Sequence, residues 1–372
     1  MGIDLIIGIV GSIIAATLIA LMKFGMKDHL QRRMTSLRTR WMSPLRVVLE
    51  RKGTDAVSAK LVTWLKEDQY QQGPRAGQFG KRQDIAETIR FDPNESPRLK
   101  PRLYQTSWAC IALRKHSLLP AALERARISL ERLMVTGSVM AVMPAKRPEK
   151  VEAKVSVRHT LRAAHTLMVL VPGSQLATSV LRKMLDPGSR WECKDGGWPQ
   201  HESARPSSDL WASVYAIDFL DYVHTNCPGM ALAEMSVLSP LQRTVAHLAR
   251  EWQRNRWAYQ GAPAAENVIH ILNCVALVLK RLEPELLRNV THFIEQWITA
   301  EHHVSAAYLR ECETIQLGAA SARFAYFWFL VDRNGERWRT LYQDAIEHFE
   351  LGMDASDVAF LLDLTNSIKH TS

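Results

Sequence analysis

The sequence predicts an all-α fold, an α/α toroid of helical hairpin repeats that is preceded by a single N-terminal transmembrane helix. Three observations lead to this prediction: an uncharged N-terminal run, apolar residues spaced at helical intervals, and a glycine-tryptophan turn between two helices. With 372 residues, of which 47% are hydrophobic, the chain is long enough to bury the core of one large domain or of two ordinary ones.

The N-terminal run is the first predicted element. Leu5 to Met22 holds eighteen residues without a charge, about the shortest helix that spans roughly 30 Å of hydrocarbon. Asp4 precedes the run and Lys23 follows it, which is unlike a signal peptide that is cleaved after a small residue. The sequence therefore predicts a transmembrane anchor over residues 1–24.

A basic segment, residues 25–57, follows the anchor and carries much of the net charge of +9. Because positive residues favour the cytoplasmic side, we expect the N terminus outside and the remaining chain in the cytosol, as in a single-pass protein of the inner membrane. The segment either sets this topology alone or also binds membrane lipids. The residues assigned to the membrane surface are Lys23, Lys27, Arg32, Arg33, Arg38 and Arg40. The rest of the chain is close to neutral and has no nucleic-acid recognition motif, so no nucleic acid partner is expected.

The body, residues 58–372, reads as helices of two kinds. Leu119 to Met134 is amphipathic and suits an outer layer, whereas Asn267 to Leu282 and Ala319 to Val331 are apolar around most of their circumference and suit an inner layer. Met143 to Val155 is rich in proline and charge, which predicts an exposed loop near 143–156. The alternation of helix types predicts a double-layered ring.

A turn with the sequence KDGGWP begins at Lys194, and a helix that reads SDLWASVYAI follows from Ser208. We expect Gly196 and Gly197 to adopt positive φ angles and Trp198 to cover the helix ends. A looser copy of the pattern joins the stretch from Trp64 to Gly80 to the helix that begins near Gln105.

These residues resemble the repeat of the terpenoid cyclase and protein prenyltransferase superfamily, in which such a turn joins the outer and inner helices of an α/α toroid. The chain lacks the DxDD motif of the cyclases and the DxC zinc motif of the prenyltransferases. The resemblance therefore implies a cavity without an assigned activity. We expect a binding or sensing module, without cofactor or metal, for a lipid, an isoprenoid or a protein partner. The alternative is a cyclase-like or transferase-like enzyme that acts on an isoprenoid or another lipid.

Two acids are the weak catalytic candidates. Asp209 stands at the start of a helix, where a capping role is expected. Asp218 interrupts an apolar helix, so it is either one half of an ion pair, for which Arg323 is a conceivable partner, or a cavity acid with a raised pKa. The residues assigned to the ligand cavity are Trp211, Tyr215, His270, Arg323, Tyr326 and Trp328.

Two further groups remain open alternatives. His270 and Cys274 share one helix face with Asn273, which suits either a metal site that lacks a third ligand or ordinary core packing. Cysteine, histidine and carboxylate residues also crowd the glycine turn, at a spacing that matches no zinc motif. The members of this second group are Cys193, Asp195, His201 and Glu202.

Overall fold

The computed structural model describes residues 45–73, 75–81, 102–134, 137–143, 152–189, 191–203, 206–227, 237–259, 264–312, 315–349 and 353–369, and it is mostly helical. In chain order the elements are α1 Leu45–Asp68, α2 Leu103–Lys115, α3 Pro120–Leu133, β1 Met140–Met143, β2 Glu152–Val155, α4 Val157–Leu170, α5 Gln175–Leu185, β3 Trp198–Pro199, β4 Ser208–Asp209, α6 Leu210–Asn226, α7 Leu238–Asn255, α8 Ala264–Leu282, α9 Pro284–Glu295, α10 Ala306–Glu311, α11 Leu317–Val331, α12 Arg337–Glu347 and α13 Ala355–Lys369.

Six of these helices form a closed inner ring. Helices α2, α4, α6, α8, α11 and α13 contact one another in this order, and α13 contacts α2 again. An outer helix packs against each of them: α3 against α2, α5 against α4, α7 against α6, α9 against α8, α12 against α11, and α1 against α13. The described chain is thus a two-layered ring in which outer and inner helices alternate along the sequence.

The side chains explain the two layers. On α7, Leu241, Val245 and Leu248 are buried, whereas Arg243 and Arg250 on the other side are exposed. Helix α11 has no polar stripe, and Gly318 to Phe329 are all buried. An amphipathic helix can lie on the surface, but a helix that is apolar all round needs neighbours on every side. The sequence thereby assigns α7 to the outer layer and α11 to the inner layer.

The glycine turn ties the outer helix α7 to the inner helix α6. Gly196 has a φ of +81°, as predicted, but Gly197 does not adopt a positive φ, so that part of the prediction is wrong. Gly197 is needed for space instead, because a Cβ there would lie 2.6 Å from both His247 Nε2 and Ser208 Oγ. The buried indole of Trp198 donates a hydrogen bond to Thr244 Oγ1 at 2.9 Å.

Two short strands occur where the sequence predicts a loop. Strands β1 and β2 pair antiparallel, with Met140 opposite Val155 and Met143 opposite Glu152. The prediction of an exposed loop over 143–156 is therefore wrong at both of its ends, and residues 144–151 lie outside the described part of the chain. A second pair, β3 and β4, brings Trp198 opposite Asp209 beside the glycine turn.

The predicted transmembrane helix, and with it the location as a single-pass protein of the inner membrane, is corrected by the structure. Among the described residues, no helix combines the length and the apolar composition that a membrane span requires. The longest ones show why: α1 is broken at Gly53, α7 carries arginines along its length, and α8 ends with Lys280 and Arg281. Leu5 to Met22 and the predicted membrane-surface residues, Lys23, Lys27, Arg32, Arg33, Arg38 and Arg40, lie outside the described residues.

Candidate functional site in the ring interior

A hydrogen bond crosses the interior of the ring. Tyr104 belongs to α2 and His270 to α8, which lies opposite α2 in the ring, and the Tyr104 hydroxyl is 2.8 Å from His270 Nδ1. Trp211 of α6 packs edge-on against both rings, with centroid distances of 6.4 Å. Residues from three inner helices therefore meet at the centre through polar as well as aromatic atoms.

Several side chains on these inner helices are only partly buried. On α8 the residues are His270, Cys274 and Leu277, which follow one another at helical spacing, and the side chain of Leu277 is 50% exposed. Tyr104 and Trp211, which face His270, are also only partly buried. A filled core would bury these residues completely, so the face of α8 that carries them borders space that side chains do not fill.

Arg162 of α4 lies beside this space and is only 1% exposed. Its guanidinium carbon is 5.1 Å from the ring centroid of Trp108, 5.2 Å from that of Tyr215 and 5.6 Å from that of Tyr104. The Nη1 atom pairs with Oδ2 of Asp218, while Nε and Nη2 are buried without any hydrogen-bond partner. Three aromatic faces and one carboxylate thus surround a cation that keeps two unused donors.

Asp218 of α6 is held by two side chains of α4. Besides Arg162, the Nδ1 atom of His165 lies 3.2 Å from Oδ2, close enough for an ion pair although it is not aligned as a hydrogen bond. Burial acts to raise the pKa of Asp218, but His165 and Arg162 outweigh it and hold the pKa below its ordinary value. Asp218 is therefore an ionised structural partner rather than the protonated cavity acid that the sequence left open.

Arg323, the conceivable partner of Asp218, pairs with a different acid. Its Nε donates to Oδ1 of Asp357 at 2.7 Å, and its Nη2 lies 3.2 Å from Oδ2 of the same residue. Asp357 is fully buried at the start of α13. Arg162 and Arg323 are thus two buried guanidinium groups of the described ring interior, and of these two Arg162 has no hydrogen-bond partner on its Nε and Nη2 atoms.

Three other titratable groups at the centre, His270, Tyr104 and Cys274, are neutral. Burial, with the charge of Arg323, holds the pKa of His270 well below its ordinary value, and burial raises the pKa of Tyr104 well above its ordinary value. Burial also raises the pKa of Cys274 to about 12. Tyr104 and His270 consequently share a hydrogen bond between two uncharged groups, and Cys274 remains a thiol at neutral pH.

The predicted cavity residues divide into three sets. Trp211, Tyr215 and His270 take part in the central cluster, and Tyr326 stacks on Phe360 at the edge of it, with a centroid distance of 4.4 Å. Arg323 lies close enough to influence His270 but is occupied by Asp357. Trp328 lies apart from the central cluster, with its ring packed under the guanidinium of Arg337 on outer helix α12, at 4.5 Å.

Asp209 has the capping role that the sequence favours. Its Oδ1 accepts the backbone N–H of Ala212 at 2.8 Å, in the first turn of α6. Its Oδ2 accepts the hydroxyl of Tyr259 at 2.7 Å. Both carboxylate oxygens of Asp209 therefore accept hydrogen bonds, which indicates a structural role for this residue.

The residues that crowd the glycine turn in sequence do not form one site. Asp195 accepts the hydroxyl of Ser208 at 2.5 Å, whereas Glu202 pairs with Lys183 at 2.8 Å. Over the part of the chain that the structure describes, no group of three or more histidine, cysteine or acidic side chains is placed to hold a metal ion. The groove beside the turn, about 550 Å³ in volume, is lined by Arg243, which binds Glu192 at 2.5 Å, and by Asp186, which accepts the backbone N–H of Gly188 at 2.9 Å.

Sequence reasoning missed four residues that surround Arg162 and Asp218 or belong to this pair's cluster: Tyr104, Trp108, Arg162 and His165. A signal for two of them was present, because Arg162 and His165 stand three residues apart in RHTLRAAHTLM, a helix that is otherwise largely apolar. The rule that singled out Asp218, a charge inside an apolar helix, applies equally to Arg162. Tyr104 gave no such signal, because an aromatic residue near a helix start is ordinary core composition.

A comparison with protein-family models and with functionally characterised proteins gives no match to this chain.

Proposed function

We propose that the chain is a ligand-binding module that takes a small amphiphilic molecule into the interior of its helical ring, and that it catalyses no reaction. The observation that carries the proposal is the partly open, polar and aromatic centre, where Tyr104 and His270 meet across the ring beside Trp211. Pockets for small molecules are concave and mostly apolar, with a few polar groups that converge on the ligand. The resemblance of the KDGGWP turn to the terpenoid cyclase and prenyltransferase repeat supports the same reading.

The state of the central side chains supports binding over catalysis. Asp218 is ionised and held between Arg162 and His165, so it is a poor proton donor at neutral pH. Asp209 is engaged by Ala212 and Tyr259. The thiol of Cys274, with a pKa of about 12, is a weak nucleophile. An enzyme acting on an isoprenoid or another lipid needs an activated group that none of these three residues supplies.

Native mass spectrometry of the gently purified protein tests the proposal. We expect the wild-type chain to carry an additional mass of a few hundred daltons that is lost in Cys274→Phe, because the larger side chain occupies the space along α8. Cys227→Phe is the matched control, since Cys227 lies just after the end of α6 and is also partly buried. A wild-type protein that carries no added mass, and whose thermal stability a crude extract of small amphiphiles does not raise, would show that the proposal is wrong.

A further inference from the structure

The guanidinium of Arg162 is the feature of the interior that the helical ring itself does not explain. A buried cation normally uses most of its donors, because each buried donor without a partner costs the full loss of its hydration. Arg162 is 1% exposed, yet its pairing with Asp218 uses Nη1 alone. Its Nε and Nη2 donors are buried and unused.

These two atoms are a matched pair. The Nε–H and Nη2–H bonds of a guanidinium are parallel and form the edge that binds both oxygens of a carboxylate at once. The same edge binds both oxygens of a carboxylate three times elsewhere among the described residues. Arg127 binds Glu124 at 2.8 and 2.6 Å, Arg243 binds Glu192 at 2.5 and 2.7 Å, and Arg323 binds Asp357 at 2.7 and 3.2 Å. In the described part of the chain, no acid pairs with this edge of Arg162.

The surroundings define the rest of the ligand. The rings of Tyr104, Trp108 and Tyr215 lie against Arg162, and Tyr326 stacks on Phe360 next to Trp108. The apolar part of a ligand fits between these aromatic side chains. Asp218 already supplies one negative charge to Arg162, so a group with a single charge fits this place better than a phosphate with two.

We infer that the ring interior binds an apolar monocarboxylic acid whose carboxylate pairs side-on with Nε and Nη2 of Arg162. This inference rests on the proposed function. Both donors of the edge are buried in the structure, so the acid enters as the neighbouring aromatic rings move aside. Tyr104 is the ring that gives way, because it is partly exposed and is the second residue of α2. On binding, two ionic hydrogen bonds replace contacts with ring faces.

Isothermal titration calorimetry tests the inference with decanoate, kept below the concentration at which it forms micelles, and with decanamide, kept within its solubility. The two probes have the same chain length, but only decanoate carries the charge and the two equivalent oxygens. We expect decanoate to bind the wild-type protein with one-to-one stoichiometry and at least about tenfold more tightly than decanamide, since an ionic hydrogen bond contributes about ten- to hundredfold. Decyl phosphate is expected to bind more weakly than decanoate.

Two variants test whether Arg162 causes the preference for decanoate over decanamide. Arg162→Lys keeps the charge beside Asp218 but has no side-on edge, so we expect it to lose the preference for decanoate over decanamide. Arg323→Lys is the matched control, because Arg323 is also a buried arginine of an inner helix but its edge is already occupied by Asp357, and it is expected to keep the preference.

The wild-type comparison decides the inference even where a variant fails to fold. Equal binding of decanoate and decanamide would overturn the carboxylate assignment and leave the proposed function standing, and so would an unchanged preference in Arg162→Lys. Binding of neither probe would overturn it too, and the mass measurement on the purified protein would then decide the proposed function separately.

Discussion

The ion pair between Arg162 and Asp218 gives the sharpest test of how the ring centre is stabilised. Arg162 is 1% exposed and the side chain of Asp218 is 16% exposed, so neither charge has more than slight contact with water. Removing one partner of such a pair leaves a buried charge uncompensated, which costs about 3 to 5 kcal/mol. Because Asp218 keeps some exposure, we expect Asp218→Asn to lower the free energy of unfolding by about 3 kcal/mol.

A double-mutant cycle separates this pair from general packing. The single variants are Asp218→Asn and Arg162→Met, and the double variant combines both. Urea unfolding followed by circular dichroism gives the free energy of unfolding of each protein. We expect the double variant to lose about 2 kcal/mol less than the sum of the single losses, since removal of both charges leaves neither one stranded.

The pH dependence of stability provides a second test of the same ion pair. The pKa of Asp218 is held below its ordinary value, so its contribution to stability is present above the ordinary aspartate pKa and is lost as pH falls through the folded-state pKa. Asp218→Asn should therefore remove part of the acid sensitivity of the wild-type protein. Additive losses in the cycle, or a loss below about 1 kcal/mol for Asp218→Asn, would refute the account of a coupled buried pair.

Three further outcomes follow from the described contacts. Gly197→Ala should lower the free energy of unfolding by about 1 to 3 kcal/mol in urea unfolding, because its Cβ would lie 2.6 Å from two side chains. Gly188→Ala is the control and should lose less, because Gly188 also lacks a positive φ and the nearest atom to its Cβ, Asp186 Oδ1, would lie 3.3 Å away; equal losses would contradict the steric reason. The pKa of His270 is depressed by burial, so the unfolded chain takes up a proton below about pH 6.5 that the folded chain does not. The free energy of unfolding, measured across pH 5 to 8, should therefore fall with acidification, and it should fall less in His270→Gln. An identical pH dependence in the two proteins would exclude His270 as a cause. Cys274, with a pKa of about 12, should react with iodoacetamide at pH 8 about a thousandfold more slowly in the folded than in the unfolded protein. Peptide mass spectrometry follows the two reaction rates, and comparable rates would show that the thiol of Cys274 is exposed to water.

The sequence predicts those features that depend on neighbouring residues. The cap at Asp209 and the positive φ of Gly196 are local, because the residue and its partner lie within one turn of chain. The helical character of α11 and its burial follow likewise from an apolar composition around the whole helix.

The site depends on features that a single sequence does not contain. Tyr104 and His270 are 166 positions apart, and their contact exists only because the inner ring places α2 opposite α8. Trp328 belongs to a run of aromatic residues that point to several sides of one helix, and composition alone does not separate the ring interior from the outer layer. The transmembrane prediction used the hydropathy of one segment, and no described helix supports it.

The closed inner ring also bears on how the protein loses its structure. Open arrays of helical hairpins have two terminal repeats, which fray first and need polar caps. Here every inner helix has a neighbour on each side, because α13 returns to α2 and Ser58 of α1 donates a hydrogen bond to Asn366 of α13 at 3.0 Å. An arrangement without terminal units has no place from which unfolding can progress hairpin by hairpin. The whole ring then unfolds as one cooperative unit, so a substitution that destabilises one hairpin destabilises all of them.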